Sequence, residues 1–186
     1  MTVGISLLRG INVGGHNLVR MEALRAAHES LGLAEAQTYV QSGNVVFRTR
    51  LRDVSALARR IEDSLERSHG FRPGVVVRTA AELRDAIARN PFSGRSGIEP
   101  AKLLVVFLAS APEAAAGERL RGIRVGPEEF YLSGRELYVY FPDGIGRSKF
   151  TTALIEKTLK TASTGRNWNT VIRLMEMAEA LGSQCD

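Results

Sequence analysis

"TYVQSGNVVF", residues 38–47, predicts two short apolar strands joined by a tight turn. The Ser42–Gly43 pair favours the turn, because glycine adopts the positive φ angles that two-residue hairpins need. A second stretch, "EEFYLSGRELYVYF" at residues 128–141, has the same pattern and turns at Ser133–Gly134. Two similar hairpins indicate that the second half of the chain repeats the first.

Apolar periodicity around the first hairpin predicts the order βαββαβ. The predicted elements are a strand over residues 3–7, a helix over 21–31, the hairpin itself, a helix over 54–65 and a strand over 73–79. One extra helix follows, because Thr79 and Glu82 have the spacing of a capping box. We expect this helix to stop at Asn90–Pro91.

The same order returns in the second half. Its predicted elements are a strand over 102–109, a short helix, the second hairpin, a helix over 150–159, an extended piece over 161–164 and a last helix over 168–181. Ser110 and Glu113 form a capping-box candidate for the short helix. The pattern predicts an α+β fold of two ferredoxin-like (α/β-plait, βαββαβ) units in tandem, each an antiparallel sheet with helices on one face.

The predicted boundary between the units is the stretch "SGRSGIEP", residues 93–100, which is rich in Gly, Ser and Pro. We therefore expect a first ferredoxin-like unit with its linking helix over 1–92. A linker would occupy 93–100, and a second unit with its terminal helix would occupy 101–186.

Composition limits the class of protein. The longest apolar run, 103–109, is far shorter than the ~20 residues that cross a bilayer, and the N-terminus lacks the basic start of a signal peptide. We expect a soluble, cytoplasmic protein with no membrane partner. The single cysteine, Cys185, excludes an internal disulfide, and the three dispersed histidines lack metal-ligand spacing. We predict no metal and no cofactor.

The formal charge of +5 and the pI of about 9.8 favour an anionic partner, either a small molecule or nucleic acid. The first hundred residues contain arginine but no lysine, and no block of like charges forms a basic tail. A bias in genome base composition explains such arginine usage equally well.

The stretch "LRGINVGGHN", residues 8–17, marks a difference between the two halves. From Ile5 to Ser42 the chain advances 37 residues, whereas from Leu103 to Ser133 it advances 30. An extension in one copy of a duplicated scaffold is often functional. Glycines allow close approach of the backbone to a ligand, and a following helix N-terminus favours anions. The candidate ligand-binding residues here are Arg9, Asn12, Gly14, Gly15, His16 and Asn17. The alternative is an ordinary strand-to-helix turn.

Three further motifs supply polar candidates. Ser42 and Asn44 lie in the first hairpin, where a turn role is the stronger interpretation of the serine. Ser148 and Lys149, after Arg147, lie where a helix start could hold a phosphate or carboxylate. The last motif, "TGRNWNTV", contributes Arg166, Asn167 and Asn169 around Trp168, whose ring either stacks on a flat ligand or anchors the core.

The stretches "LLRGINVGGHN", "TYVQSGNVVF", "GRSKF" and "TGRNWNTV" together resemble DUF1697, a bacterial family of unknown function. The resemblance runs almost from end to end. It implies paired ferredoxin-like units and brings no reaction. The family motifs correspond here to Arg9, Gly10, Asn12, Gly14, Gly15, His16, Asn17, Gln41, Ser42, Gly43, Asn44, Ser148, Lys149, Arg166, Asn167, Trp168 and Asn169. One departure is Gly165, which separates Thr164 from the Arg-Asn-Trp run.

Three functions are compatible with these motifs. The leading hypothesis is binding of an anionic ligand, a nucleotide or a nucleic-acid segment, on a polar rim formed by the motifs. A second is a metal-free enzyme that uses His16 as acid or base. A third is a protein-interaction or self-association module, so that either a monomer or a homodimer is expected.

Overall fold

Two units make up the computed structural model of the chain. The first comprises Met1–Asp85 together with Arg173–Asp186, and the second comprises Ala86–Ile172. The structure describes residues 1–51, 53–123 and 126–183, so Cys185 lies outside the described residues. The predicted linker at 93–100 stays a prediction, whereas the end of the last helix groups with the first unit.

The first unit contains a four-stranded antiparallel sheet with strand order β2-β3-β1-β4. Its elements are β1 (Thr2–Arg9), α1 (Met21–Glu29), β2 (Ala34–Tyr39), β3 (Asn44–Thr49), α2 (Val54–His69), β4 (Gly74–Thr79) and α3 (Ala80–Ala88). Alternate residues of these strands, among them Leu8, Phe47 and Val77, face a core that also contains Leu24 of α1 and Leu57 of α2.

The second unit repeats this topology with the order β6-β7-β5-β8, again antiparallel. Its elements are β5 (Leu103–Leu108), α4 (Ala116–Arg121), β6 (Glu129–Ser133), β7 (Glu136–Tyr140), α5 (Thr152–Leu159) and β8 (Ser163–Asn167), with 3-10 turns at Pro100–Lys102 and Ile145–Arg147. Helix α6 (Trp168–Ser183) begins in the second unit and belongs to the first unit from Arg173 onward. The predicted tandem of ferredoxin-like units is confirmed. Each βαββαβ series is followed by a helix, so the duplication includes that helix.

The predicted capping box at the start of α3 is confirmed. The Thr79 hydroxyl accepts the Glu82 amide proton at 3.1 Å, and the Glu82 carboxylate accepts the Thr79 amide proton at 2.8 Å. Thr79→Ala should therefore lower the free energy of unfolding by about 1 kcal/mol. Thr79→Ser keeps the hydroxyl and should cost only a few tenths of that. Urea unfolding followed by circular dichroism measures both, and equal losses would contradict the capping role.

The predicted capping box at Ser110 is wrong. Helix α4 begins at Ala116, six residues later, and no described side chain caps it. The Ser110 hydroxyl is instead hydrogen-bonded to the Thr161 hydroxyl at 2.9 Å, while Glu113 accepts from Arg119 at 3.2 Å. A long-range partner has therefore replaced the local cap that the spacing favours.

Both faces of the inner strands of each sheet are buried. In the first unit the face opposite α1 and α2 carries Ile5, Leu7 and Val46, all inaccessible to solvent. The Arg48 guanidinium on this face donates to the Leu181 carbonyl near the end of α6. In the second unit the corresponding face includes Val105, Phe107 and Tyr138, which are equally buried. Neither sheet therefore offers an open platform to a ligand.

The described helices include none with the length and apolar character required to cross a membrane.

Candidate functional site

The glycine-rich stretch folds into a small β-hairpin over residues 12–17, which we call the glycine hairpin. The Asn12 amide donates to the Asn17 carbonyl at 3.1 Å, and the His16 amide donates to the Val13 carbonyl at 3.0 Å. Gly14 and Gly15 lie at its tip with φ of 58° and 79°, as a tight hairpin turn requires. The glycines therefore shape a projecting turn, and residues 13–18 are all exposed.

Asparagine side chains hold the glycine hairpin in place. The Asn12 side chain donates to the carbonyls of Val19 and Gln41, each at 3.0 Å, and accepts from the Val19 amide at 2.8 Å. Asn17 donates to the Gly10 carbonyl at 2.7 Å. Both asparagines adopt positive φ, near 54° and 52°. The Asn12 and Asn17 amides thus serve the loop conformation.

The Ser-Gly-Asn turn meets the base of the glycine hairpin. Asn44 is buried, and its side chain donates to the Tyr39 carbonyl at 3.0 Å and to the Ser42 hydroxyl at 2.8 Å. The Gly43 carbonyl accepts from the Leu8 amide at 2.8 Å. Together with the Asn12–Gln41 bond, these contacts bring two of the four predicted motifs together in the first unit.

A cleft of about 460 Å³ opens beside these two turns. Its walls are Asn12, Leu18, Val19, Arg20, Met21, Glu22 and Gln41. Helix α1 starts in this wall with Arg20 as its N-cap, and the Arg20 side chain forms no capping hydrogen bond. The main-chain N–H groups of a first helical turn have no partner within the helix, and they carry a positive partial charge. Exposed Arg20 adds a full positive charge at the same place.

The cleft also contains one acidic group, Glu22. Its carboxylate accepts a hydrogen bond from its own main-chain amide, which is the largest cause that lowers the pKa of this carboxyl below its ordinary value. Arg25, at 3.4 Å, adds to the same effect. A helix N-terminus without another cap has thus attracted the nearest carboxylate, as its partial charge predicts.

His16 is exposed beside Gly14, and within the part of the chain that the structure describes its ring has no hydrogen-bond or ion-pair partner. A general base is usually oriented by a second group. The hypothesis of His16 as acid or base therefore lacks an orienting partner among these residues. Arg9 is likewise exposed, at the end of β1.

His28 is a titratable group that is fully buried in the first unit. Its Nδ1 lies 2.8 Å from the Leu24 carbonyl and its Nε2 lies 2.8 Å from the Ser6 hydroxyl. Because a carbonyl only accepts, Nδ1 carries the proton and the Ser6 hydroxyl donates to Nε2. Desolvation lowers the pKa of His28 to about 4, so the ring is neutral at pH 7. In the sequence, His28 falls at the same helical spacing as the apolar residues of α1, and this spacing indicates its core role.

In the second unit, Ser148 is hydrogen-bonded to Glu128, a partner that the sequence did not indicate. Its hydroxyl donates to the Glu128 carboxylate and accepts from the Phe150 amide at 2.9 Å. The N-cap of α5 is Thr151 rather than Ser148. Lys149 is exposed on the wall of a pocket of about 200 Å³ that also includes Glu128, Asp143 and Arg147. This pocket therefore carries charges of both signs.

Arg166 is buried in β8 rather than exposed on a rim. Its guanidinium donates to the Thr164 hydroxyl and the Gly165 carbonyl, each at 2.8 Å, and desolvation lowers the pKa of Arg166 to about 10. The Asn167 side chain accepts a hydrogen bond from the main-chain amide of Asn169 at 3.0 Å, and this bond caps α6. The same side chain donates to the Ala101 carbonyl, and Asn169 is exposed. Trp168 is half-buried.

The duplication explains the place of Arg166. In the first sheet Arg78 lies opposite Ile5, and in the second sheet Arg166 lies opposite Val105 at the equivalent register. Both arginines are buried, and each precedes the residue that caps the next helix, Thr79 or Asn167. A buried arginine at this position is thus a feature of the scaffold that both units share.

The residues in 1–51, 53–123 and 126–183 contain no cluster of three or more His, Cys, Asp or Glu side chains that could hold a metal ion.

Comparison with known proteins yields a family and a fold. The family model described as "Protein of unknown function (DUF1697)" matches residues 1–138. The structure of the conserved bacterial protein SP0830 from Streptococcus pneumoniae is similar, with a TM-score of 0.69 and 21% identity, over 95% of this chain and 98% of that one. At this identity the likeness concerns the fold alone. No curated protein matches the chain.

Proposed function

We propose that this chain, which belongs to the DUF1697 family of proteins of unknown function, binds a small anionic molecule, a nucleotide foremost, in the cleft of its first unit. The phosphate would lie at the N-terminus of α1, between Arg20 and the Gln41 side of the cleft. Asn12 of the glycine hairpin and Leu18, which follows the hairpin, would border the ligand.

One observation supports this proposal above the others: a helix N-terminus whose N-cap residue forms no side-chain hydrogen bond opens into a cleft next to an exposed arginine. Main-chain amides at such a position attract anions, and a neighbouring cation strengthens the field. The carboxylate of Glu22 already sits on its own amide there. A ligand phosphate would replace that carboxylate, with two more oxygens available for Arg20 and for neighbouring amides.

The dimensions favour a small molecule over a nucleic-acid strand. A volume of about 460 Å³ lies within the ~300–1,000 Å³ range of small-molecule sites. Ferredoxin-like modules that bind RNA stack bases on an exposed sheet face. Here residues such as Leu7 and Tyr138 on those faces are fully buried. Of the two anionic ligands considered, a nucleotide and a nucleic-acid segment, we therefore propose the nucleotide.

Two neighbouring substitutions should have opposite effects on this site. Arg20→Ala removes a cation from the cleft and should weaken binding roughly fivefold, whereas Glu22→Gln removes the competing carboxylate and should tighten binding by a similar factor. Isothermal titration calorimetry at low salt with AMP, GMP and inorganic phosphate measures both changes. Arg59→Ala, at an exposed arginine of α2, is the control with the same charge change.

The proposal fails if none of the three probes binds or raises the melting temperature at low salt. It also fails if Arg20→Ala and Arg59→Ala weaken binding equally, because the positive charge would then act without a specific site.

A further inference from the structure

We propose that the second unit binds an extended polypeptide segment as an added strand on β6, with apolar residues and one acidic residue on the face that enters the groove beside this strand. The site is the groove between β6 and α4, which we call the β6 groove. It is independent of the cleft in the first unit.

The backbone of β6 is available for pairing. Within the described residues β6 pairs with β7 alone and is therefore an edge strand. The hairpin turns at Gly134–Arg135, so the closing pair Ser133–Glu136 is hydrogen-bonded and the next pair is not. By this alternation the N–H and C=O groups of Phe130 and Leu132 point to the free edge. An added strand would pair with these groups.

The β6 groove has a volume of about 590 Å³ and lies directly beside this edge. The residues that line it are Ala111, Pro112, Glu113, Ala114, Gly117, Leu120, Arg121, Phe130, Tyr131, Leu132 and Gly134. Half-buried Phe130 and Leu132 form one wall, and Leu120 and Gly117 form the other. An extended segment on β6 would place every second side chain in this apolar space.

In the first unit, the equivalent space between the first helix and the edge strand β2 is closed. There the helix between the first two strands has nine residues, and its Arg25 donates to Thr38 of β2 at 2.9 Å. In the second unit α4 has six residues, and a groove lies between it and β6. The shorter helix therefore leaves apolar surface uncovered beside an edge strand.

Charge complementarity indicates an acidic partner segment. Glu113 at the groove is neutralised by Arg119 at 3.2 Å and Lys160 at 3.6 Å. Exposed Arg121 lines the same groove and has no ion-pair partner among the described residues. Every second side chain of the added strand enters the groove, so a carboxylate at one of these positions would pair with Arg121. The partner is thus an extended acidic and apolar polypeptide, rather than a basic one.

The test uses the full chain, labelled with 15N, and an acetylated octapeptide with leucine at three of its alternate positions, glutamate at the fourth and threonine between them. Chemical-shift titration reports binding even at millimolar affinity. We expect saturable shifts confined to β6 and the residues of α4 that face it. The same peptide with alternate amides N-methylated cannot donate to the edge strand, and its affinity should fall at least tenfold.

Two variants of the chain separate the groove from general attraction. Gly117→Leu fills the groove, since a Cβ at Gly117 would approach only the Arg121 guanidinium, at 4.0 Å, and leucine favours a helix. It should reduce affinity at least tenfold while the protein stays folded. Arg121→Glu should reduce affinity about tenfold, whereas Arg147→Glu, an exposed arginine outside the groove, should leave it unchanged.

Shifts that appear elsewhere, or an affinity that Gly117→Leu and N-methylation leave intact, would overturn the proposal. Absence of shifts at peptide concentrations of several millimolar would overturn it too. Sedimentation of the chain across a dilution series checks the remaining outcome. A dimer that Gly117→Leu dissociates would assign β6 to a second copy of the chain and not to a partner segment.

Discussion

Gly43→Ala should lower the free energy of unfolding of the first unit by about 3 kcal/mol. Gly43 has φ of 76°, a conformation that costs a residue with a Cβ about 1–2 kcal/mol. A Cβ at this position would lie 2.7 Å from the Leu8 Cβ and 3.0 Å from the Ile11 side chain. Leu8 belongs to a strand paired on both sides, so the strand cannot yield without disturbing the sheet.

The second hairpin offers a matched control for this substitution. Gly134 has a similar φ of 60°, but no described atom lies within 4 Å of a Cβ built there. Gly134→Ala should therefore cost only the backbone strain, about 1 kcal/mol. Native-state hydrogen exchange, measured at the amides of β3 and β7, reports the two units separately. Equal losses for Gly43→Ala and Gly134→Ala would show that contact with Leu8 and Ile11 contributes nothing.

Stability of the first unit should decrease by about 3 kcal/mol between pH 6.5 and pH 4 because of His28. The pKa of His28 is about 4 in the folded protein, whereas an unperturbed histidine, as in the unfolded chain, has a pKa of 6.5. The unfolded chain therefore binds a proton in this window that the folded chain does not. The free energy of unfolding is therefore at its full value above pH 6.5, and it decreases as the pH falls from 6.5 to 4.

The variant that tests this linkage is His28→Gln, which has no charge to gain. The variant should lose the slope of unfolding free energy between pH 6.5 and pH 4, whatever its stability at pH 7. His16→Gln, at an exposed histidine of the same unit, should keep the slope. Urea unfolding at a series of pH values measures it. A slope that persists in His28→Gln would mean that other groups cause the acid destabilisation.

Most of the fold could be predicted from local sequence signals. The strand β1, both hairpins and the Thr79–Glu82 box each depend on residues close in sequence, and each is present in the structure. The loops are displaced from the predicted Ser-Gly turns, however: the first comprises residues 40–43 and the second comprises Gly134–Arg135. The failure at Ser110 has a physical cause. Its spacing to Glu113 is favourable, but Thr161, far along the chain, provides a partner that competes with the cap.

The candidate site was less predictable from its residue types. The sequence marked Asn12 and Asn44 as polar candidates for a ligand, and the structure uses both amides to hold turns. Arg20, a cation at the start of a predicted helix, and Glu22 line the cleft but lie outside the four motifs. Their importance comes from the start of α1 beside Gln41, a juxtaposition of segments about 20 residues apart in the sequence.

The sequence by itself determined the order of helices and strands, the duplication and the two hairpin turns, because periodicity and turn chemistry act over a few neighbouring residues. Only the tertiary structure decided that Arg166 is buried, that a helix N-terminus opens into a cleft and that β6 has an uncovered groove. Burial and exposure depend on which distant segments pack together. The energies that select this packing come from contacts across the sheet and core, which no local pattern contains.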